Sequence, residues 1–286
     1  MNINGKKLMA LYGLKYNPFL SEIPSEALLK RPAHQSFLWR VENLVMDGGI
    51  AAIMGEPGSG KSATMRLLDE RLGKLRDVTV ARYDRPQSGM ADFYRELGEL
   101  FGIELRVCNR YGGFSSLRRK WKSHIDQTLL RPCLLIDEAQ YVPTAVLSEL
   151  RLLMSEQFDS RRIIAVVLAG DMRLAERLKE VELVPLESRI RTRLTLTAAD
   201  AEELSSILEH VLEAAGNRQL MTRGLIDAVV AHALGNPRTM MTICDDLLAK
   251  AVELDKPQLD EQLFFDLHQP AKSKTSKASR TPKELQ

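Results

Sequence analysis

The apolar positions of this chain change period once. From residue 49 to residue 196, short apolar runs alternate with helical patterns, and beyond 198 only the helical period continues. The runs predict strands over Gly49–Met54, Val78–Tyr83, Cys133–Asp137, Ile163–Ala169 and Arg193–Leu196. Between them, apolar residues three and four apart predict helices over Gly60–Leu72, Met90–Phe101, Phe114–Leu129, Ala145–Phe158 and Arg173–Val181. Strands that are apolar at almost every position must be buried on both faces, which calls for a parallel sheet between layers of helices. A further helix is expected to open at Pro32, presenting Phe37, Leu38, Val41, Leu44 and Val45, and to stop at Asp47-Gly48-Gly49. Beyond Leu196, Thr197–Asp200 has the form of a capping box, Thr222 can cap a second helix, and a third runs from about Arg238 to Leu254. The pattern divides the chain into a turn-rich arm (1–31), an α/β core (32–197), a small all-helical domain (198–268) and a polar tail (269–286).

Composition changes little in that picture. The 286 residues are 44% hydrophobic and 27% charged, as in a globular protein with ample core. No apolar run reaches the roughly 18 residues that a membrane span requires, and Lys6-Lys7 before Leu8–Leu14 lacks a small-residue cleavage site. A cytoplasmic protein is expected. The three cysteines, Cys108, Cys133 and Cys244, are too scattered for a zinc site or a disulfide framework. The net charge of +2 is uneven: residues 271–286 carry +4, which leaves −2 for the rest. Contact with nucleic acid would therefore need local patches.

Chemistry concentrates at two strand ends. The first strand breaks into Gly55-Glu56-Pro57-Gly58-Ser59-Gly60-Lys61-Ser62, which fits G-x-x-x-x-G-K-[ST]. Glycines let the backbone turn its N–H groups inward on phosphate oxygens, and the following helix presents its positive end to the same anion. Lys61 then reaches the β- and γ-phosphates of ATP and Ser62 is a ligand for Mg²⁺. The third strand ends in Asp137-Glu138. Carboxylates delivered at the C-terminal edge of such a sheet lie beside the phosphates, Asp137 to hold the metal and Glu138 to orient and deprotonate water.

With Leu134–Gln140 (LLIDEAQ), a strand ending in Ala169-Gly170-Asp171, the Arg-rich stretch Glu187–Arg193 and Gly235-Asn236-Pro237-Arg238, the chain resembles an AAA+ ATPase. The resemblance implies an AAA+ P-loop NTPase fold, a parallel five-stranded sheet between helices followed by a helical lid over the nucleotide. It places Asp171 at the sensor-1 position, where Asn or Gln is usual. Arg189 falls at the arginine finger that reaches a neighbour's nucleotide, with Arg191 and Arg193 as alternatives, and Arg238 at sensor 2. Tyr12-Gly13-Leu14, Asn17-Pro18-Phe19, Pro32–Gln35 and Glu149–Leu153 are similar to the group that holds the ExeA-type secretion ATPases and the transposition helpers of the TnsC, TniB, MuB and IstB kind. ExeA-type proteins usually carry more chain, so this sequence is expected to be a transposition helper. That implies a homo-oligomeric ring or filament on duplex DNA, without sequence-specific readout, and a transposase or target-selection protein as partner. A secretion or envelope-assembly ATPase is the alternative. Candidate DNA contacts are Arg85, Arg110, Arg118, Arg119, Lys120 and Lys122, with Arg106, Arg161 and Arg162 nearby. The same run read as a solvated helix face, with Trp121 in the core, needs no nucleic acid.

Overall fold

The computed structural model describes residues 3–105, 110–158 and 160–268. Its centre is a sheet of β1 (Gly49–Gly55), β2 (Val78–Tyr83), β3 (Arg131–Ile136), β4 (Ala165–Gly170) and β5 (Ile190–Leu196), in the order β2-β3-β4-β1-β5. All four pairings are parallel. Ile50, Ala52 and Met54 of β1 pack on one face with α4 (Met90–Leu100), α5 (Arg110–Ser123), α6 (Thr144–Met154), α7 (Met172–Arg177) and α8 (Val184–Glu187). Ala51 and Ile53 point the other way, onto α2 (Pro32–Asp47) and α3 (Lys61–Gly73). The helical domain expected as the lid is α9 (Ala201–Ala215), α10 (Arg223–His232), α11 (Pro237–Glu253) and α12 (Glu261–His268).

Several boundaries move for physical reasons. β5 begins three residues before the expected Arg193, because an edge strand alternates rather than running apolar: Ile190, Thr192, Leu194 and Leu196 face in while Arg191 and Arg193 face out. The helix expected over Phe114–Leu129 instead begins at Arg110 and ends in one wide turn over His124–Thr128, with Leu129 at φ 57°. The helix expected to reach Phe158 stops at Met154, where the chain turns into a small antiparallel ribbon, Ser155–Glu156 with Arg161–Arg162. Asp200, rather than Thr197, caps α9, accepting from Glu203 N at 2.8 Å, while Thr222 caps α10 as expected. α12 had no counterpart in the sequence reading. The calls on Arg106, Cys108 and the tail 269–286 lie outside the described residues.

The arm is more ordered than its turn signals suggest. It opens with α1 (Ile3–Tyr12), and Leu8, Tyr12, Leu14, Phe19, Ile23 and Ala27 join the apolar core of the lid. Lys15 N donates to Ala215 O at 2.9 Å, Asn217 Nδ2 to Tyr12 O at 2.9 Å and Tyr12 Oη to Lys256 O at 2.8 Å. The arm is thus built into the helical domain, although the whole α/β core separates the two in sequence.

Candidate nucleotide site

β1 lies between β4 and β5, and its C-terminal end opens into the loop that starts α3. Gly60 at φ 102° makes the turn into that helix, a backbone state that disfavours other residues. Lys61 is buried, and its ammonium donates to the carbonyls of Gly55 at 2.9 Å and Glu56 at 3.0 Å. Those bonds hold the ammonium inside its own loop, where a phosphate oxygen could take the place of a carbonyl.

β3 delivers its carboxylates to the same end of the sheet. Ser62 Oγ donates to Asp137 Oδ2 at 3.1 Å, and the other oxygen of Asp137 accepts from Glu138 N at 2.9 Å. A hydroxyl and a carboxylate converging from two elements are the hard oxygen donors Mg²⁺ takes, since that ion needs only one or two protein ligands beside phosphates and water. Ser62 and Asp137 fit it, and the ion would supply charge to draw the phosphate oxygens together. Glu138 turns away from the strand at φ 51°, leaving its carboxylate exposed. It does not stand alone. Gln140, buried, donates from Nε2 to Glu138 Oε2, and its Oε1 accepts from Asp171 N at 3.2 Å. One side-chain amide therefore ties the Glu138 carboxylate to the end of β4.

Asp171 caps α7 and pairs with Arg173, whose side chain reaches its carboxylate at 2.6 Å. Those bonds hold the Asp171 carboxyl below the usual carboxylate range. Asn236 caps α11 by accepting from Arg238 N at 3.0 Å, and its Nδ2 donates to Pro57 O at 3.0 Å. That contact latches the lid onto the phosphate loop. It also explains Gly58: a Cβ there would lie 2.3 Å from Asn236 Oδ1. Arg238 stands exposed at the head of α11.

These elements enclose a cleft of about 700 Å³ in which Pro57–Ser62, Glu138, Asp171 and Arg238 all take part. Leu28 of the arm and Ile207, Val211 and Met241 of the helical domain add apolar walls. Arg31 forms an ion pair there with Glu203 of α9 and lies 2.8 Å from the imidazole Nε2 of His34. His34 is buried, its Nδ1 has no partner, and burial with the nearby Arg31 charge pulls its pKa down to about 4. The sequence reading gave no role to Arg173, Gln140 or His34. Gln140 stood inside the motif LLIDEAQ, but spacing alone does not reveal which way an amide turns.

Arg189 is not in the cleft. It precedes β5, whose Ile190 pairs with Ile50 at the opening of β1, whereas Gly55 of the phosphate loop pairs with Leu196 at the far end. Five steps of strand, about 17 Å, separate the two. Its side chain donates to Pro185 O, and Arg193 pairs with Glu187 at 2.5 Å while Arg191 faces outward from β5.

The basic candidates divide. Arg110 binds the buried carboxylate of Glu149, with Nε 3.0 Å from Oε1. Arg118 donates to the carbonyls of Leu152 and Leu153 at 3.1 Å, satisfying the end of α6, and lies 5.2 Å from the Phe114 ring centroid. Lys122 pairs with Glu156, and Arg161 with Asp126 at 2.8 Å. Lys120 is half-buried on α5, whereas Arg85 and Arg119 are exposed, Arg85 in a shallow hollow that also touches Glu138 and Tyr141.

Comparison with known proteins agrees with this geometry. Residues 45–178 match the AAA domain model AAA_22. General secretion pathway protein A of Aeromonas hydrophila is 26% identical over 84% of this chain. The chain spans 44% of that protein's length. Among solved structures, the Aeropyrum pernix ORC2 protein superposes with a TM-score of 0.70 at 17% identity, covering 88% of this chain and 70% of its own. The Aeropyrum pernix ORC1 protein in complex with DNA gives 0.65 at 17%, covering 87% and 67%. No helix among the described residues is long and apolar enough to cross a membrane. Phosphate loop, paired acids, five-stranded parallel sheet and the helices that follow give this chain the α/β P-loop fold of AAA+ proteins, with residues 45–178 similar to an AAA domain.

Proposed function

We propose that this chain is an ATP-driven regulator of DNA transposition that works in the cytoplasm. ATP with Mg²⁺ draws copies together on duplex DNA as a ring or helical filament. The assembly recruits or activates a transposase or a target-selection protein, and hydrolysis takes it apart. The observation that carries the assembly is the position of Arg189. About 17 Å of strand keeps it from its own phosphate loop, so a finger at this position can serve only the nucleotide of a neighbouring copy. Such fingers are worth about 10³–10⁵ in rate, which makes turnover depend on assembly. Arg238 on the lid then reads the terminal phosphate in its own cleft, Asp137 and Ser62 hold the metal, and Glu138 activates water.

The DNA role draws support from the solved complex of the structurally similar ORC1 protein with DNA, and from Arg85 and Arg119, which stand exposed. The test is electron microscopy of the purified chain with duplex DNA. ATP-dependent oligomers on DNA are expected, and their absence would overturn the reading. A second reading, a secretion ATPase like general secretion pathway protein A, is favoured by the identity to that protein. DNA binding that ATP strengthens and salt weakens separates the two, since only the first reading requires it.

A further inference from the structure

We propose that Arg173 is the group on α7 that contacts the terminal phosphate of ATP, and that Asp171 serves to hold it. An acid at the end of β4 is a poor neighbour for a triphosphate, and the structure turns it away. Asp171 accepts from Arg173 N at 2.9 Å, from Nε at 2.9 Å and from Nη2 at 2.6 Å. The Asp171 side chain is 13% exposed, whereas the Arg173 side chain is 61% exposed. Both residues line the cleft. The pair therefore offers the cleft a cation.

That cation is fixed in place. Arg173 Nη2 also donates to Tyr141 Oη at 2.9 Å, and the guanidinium carbon lies 4.9 Å from the Tyr141 ring centroid. Two of its nitrogens are used in these bonds, and Nη1 keeps its donors with no bond among the described residues. A planar fork with free N–H groups, anchored on one side, is the arrangement that binds phosphate oxygens at least cost in side-chain freedom. Its place is the acid end of the cleft: Tyr141 follows Glu138 by three residues, and Gln140 bridges Glu138 to the amide of Asp171. A displacement of Arg173 on meeting a phosphate would travel through Asp171 and Gln140 to the carboxylate of Glu138.

The inference rests on the cleft being the nucleotide site, and Lys61→Ala tests that separately by removing the binding of both nucleotides. Equilibrium binding of a non-hydrolysable ATP analogue and of ADP, each with Mg²⁺, is measured on the full chain. Arg173→Ala should weaken the analogue about tenfold and leave ADP within about twofold, with Arg173→Lys recovering part of the loss. Retained ADP binding reports an intact fold. Asp171→Asn gives the sharper sign. If Asp171 holds Arg173, the analogue binds more weakly; if Asp171 itself faced the phosphate, removing its charge would tighten binding. Equal losses for both nucleotides, no change in Arg173→Ala, or a tighter Asp171→Asn would each overturn the proposal.

Discussion

Two sets of cations look alike in sequence and stand in opposite settings. Along α5, Arg110, Arg118 and Lys122 belong to the densest basic stretch of the chain, yet each is spent on the protein: on buried Glu149, on the carbonyls ending α6, and on Glu156. Around the cleft, Lys61, Arg173 and Arg238 are isolated in sequence, and the fold gathers them at one opening. Charge density along the chain therefore says little about where a polyanion binds. Place in the fold separates them: Arg110 holds Glu149 through Nε and Nη2 much as Arg173 holds Asp171, but Arg173 lines the cleft and Arg110 does not.

The contrast predicts a double dissociation. Lys61→Ala should raise the ATP dissociation constant by about a hundredfold or more, two charge-assisted hydrogen bonds at about 1.5–3 kcal/mol each, with little change in melting temperature. Isothermal titration with calorimetric melting checks both halves, and unaltered ATP affinity would remove the phosphate-loop assignment. Glu138→Gln should keep ATP binding and lower hydrolysis by about 10²–10⁴, as expected for a lost general base. A multiple-turnover assay reads it, and wild type no faster than the variant would mean a scaffold that binds ATP without turning it over.

On the other side of the comparison, Arg110→Ala should leave nucleotide affinity alone and cost stability. The Glu149 side chain is 3% exposed, so among the described residues it keeps Tyr94 alone as partner, at a loss of about 1–3 kcal/mol in denaturant unfolding. A fall in ATP affinity with unchanged stability would reverse the division. A smaller effect concerns His34. Its pKa is lowered from 6.5 to about 4, so between those values the unfolded chain binds the proton and the folded chain does not. Stability is therefore lost as pH falls from about 6.5 toward 4, by up to about 3 kcal/mol. His34→Gln should lack this component, and the difference between the two unfolding curves across that window measures it.

Much of the α/β core was legible because buried parallel strands write themselves as apolar runs, and the phosphate loop and Asp137-Glu138 are local motifs. β5 was half-read since its outward arginines break the run. The helical arm was missed because its apolar residues gain their partners in the lid: Leu8, Tyr12 and Leu14 pack there, far along the chain. The same limit hid Arg173 and Gln140, whose roles depend on where two loops meet at the ends of β3 and β4. The resemblance placed Asp171 at the sensor-1 position but gave no sign of the ion pair it forms with Arg173 two residues on.

The central claim is that the nucleotide site is completed by a second copy, and mixing two inactive variants tests it most directly. Glu138→Gln lacks the base but keeps Arg189, and Arg189→Ala lacks the finger but keeps the base. Each alone should hydrolyse ATP at a small fraction of the wild-type rate. Combined in equal amounts, they should regain a substantial part of it, because an Arg189→Ala cleft can receive the finger of a Glu138→Gln neighbour. A mixture no more active than its parts, or an Arg189→Ala protein that hydrolyses ATP normally by itself, would contradict the shared site.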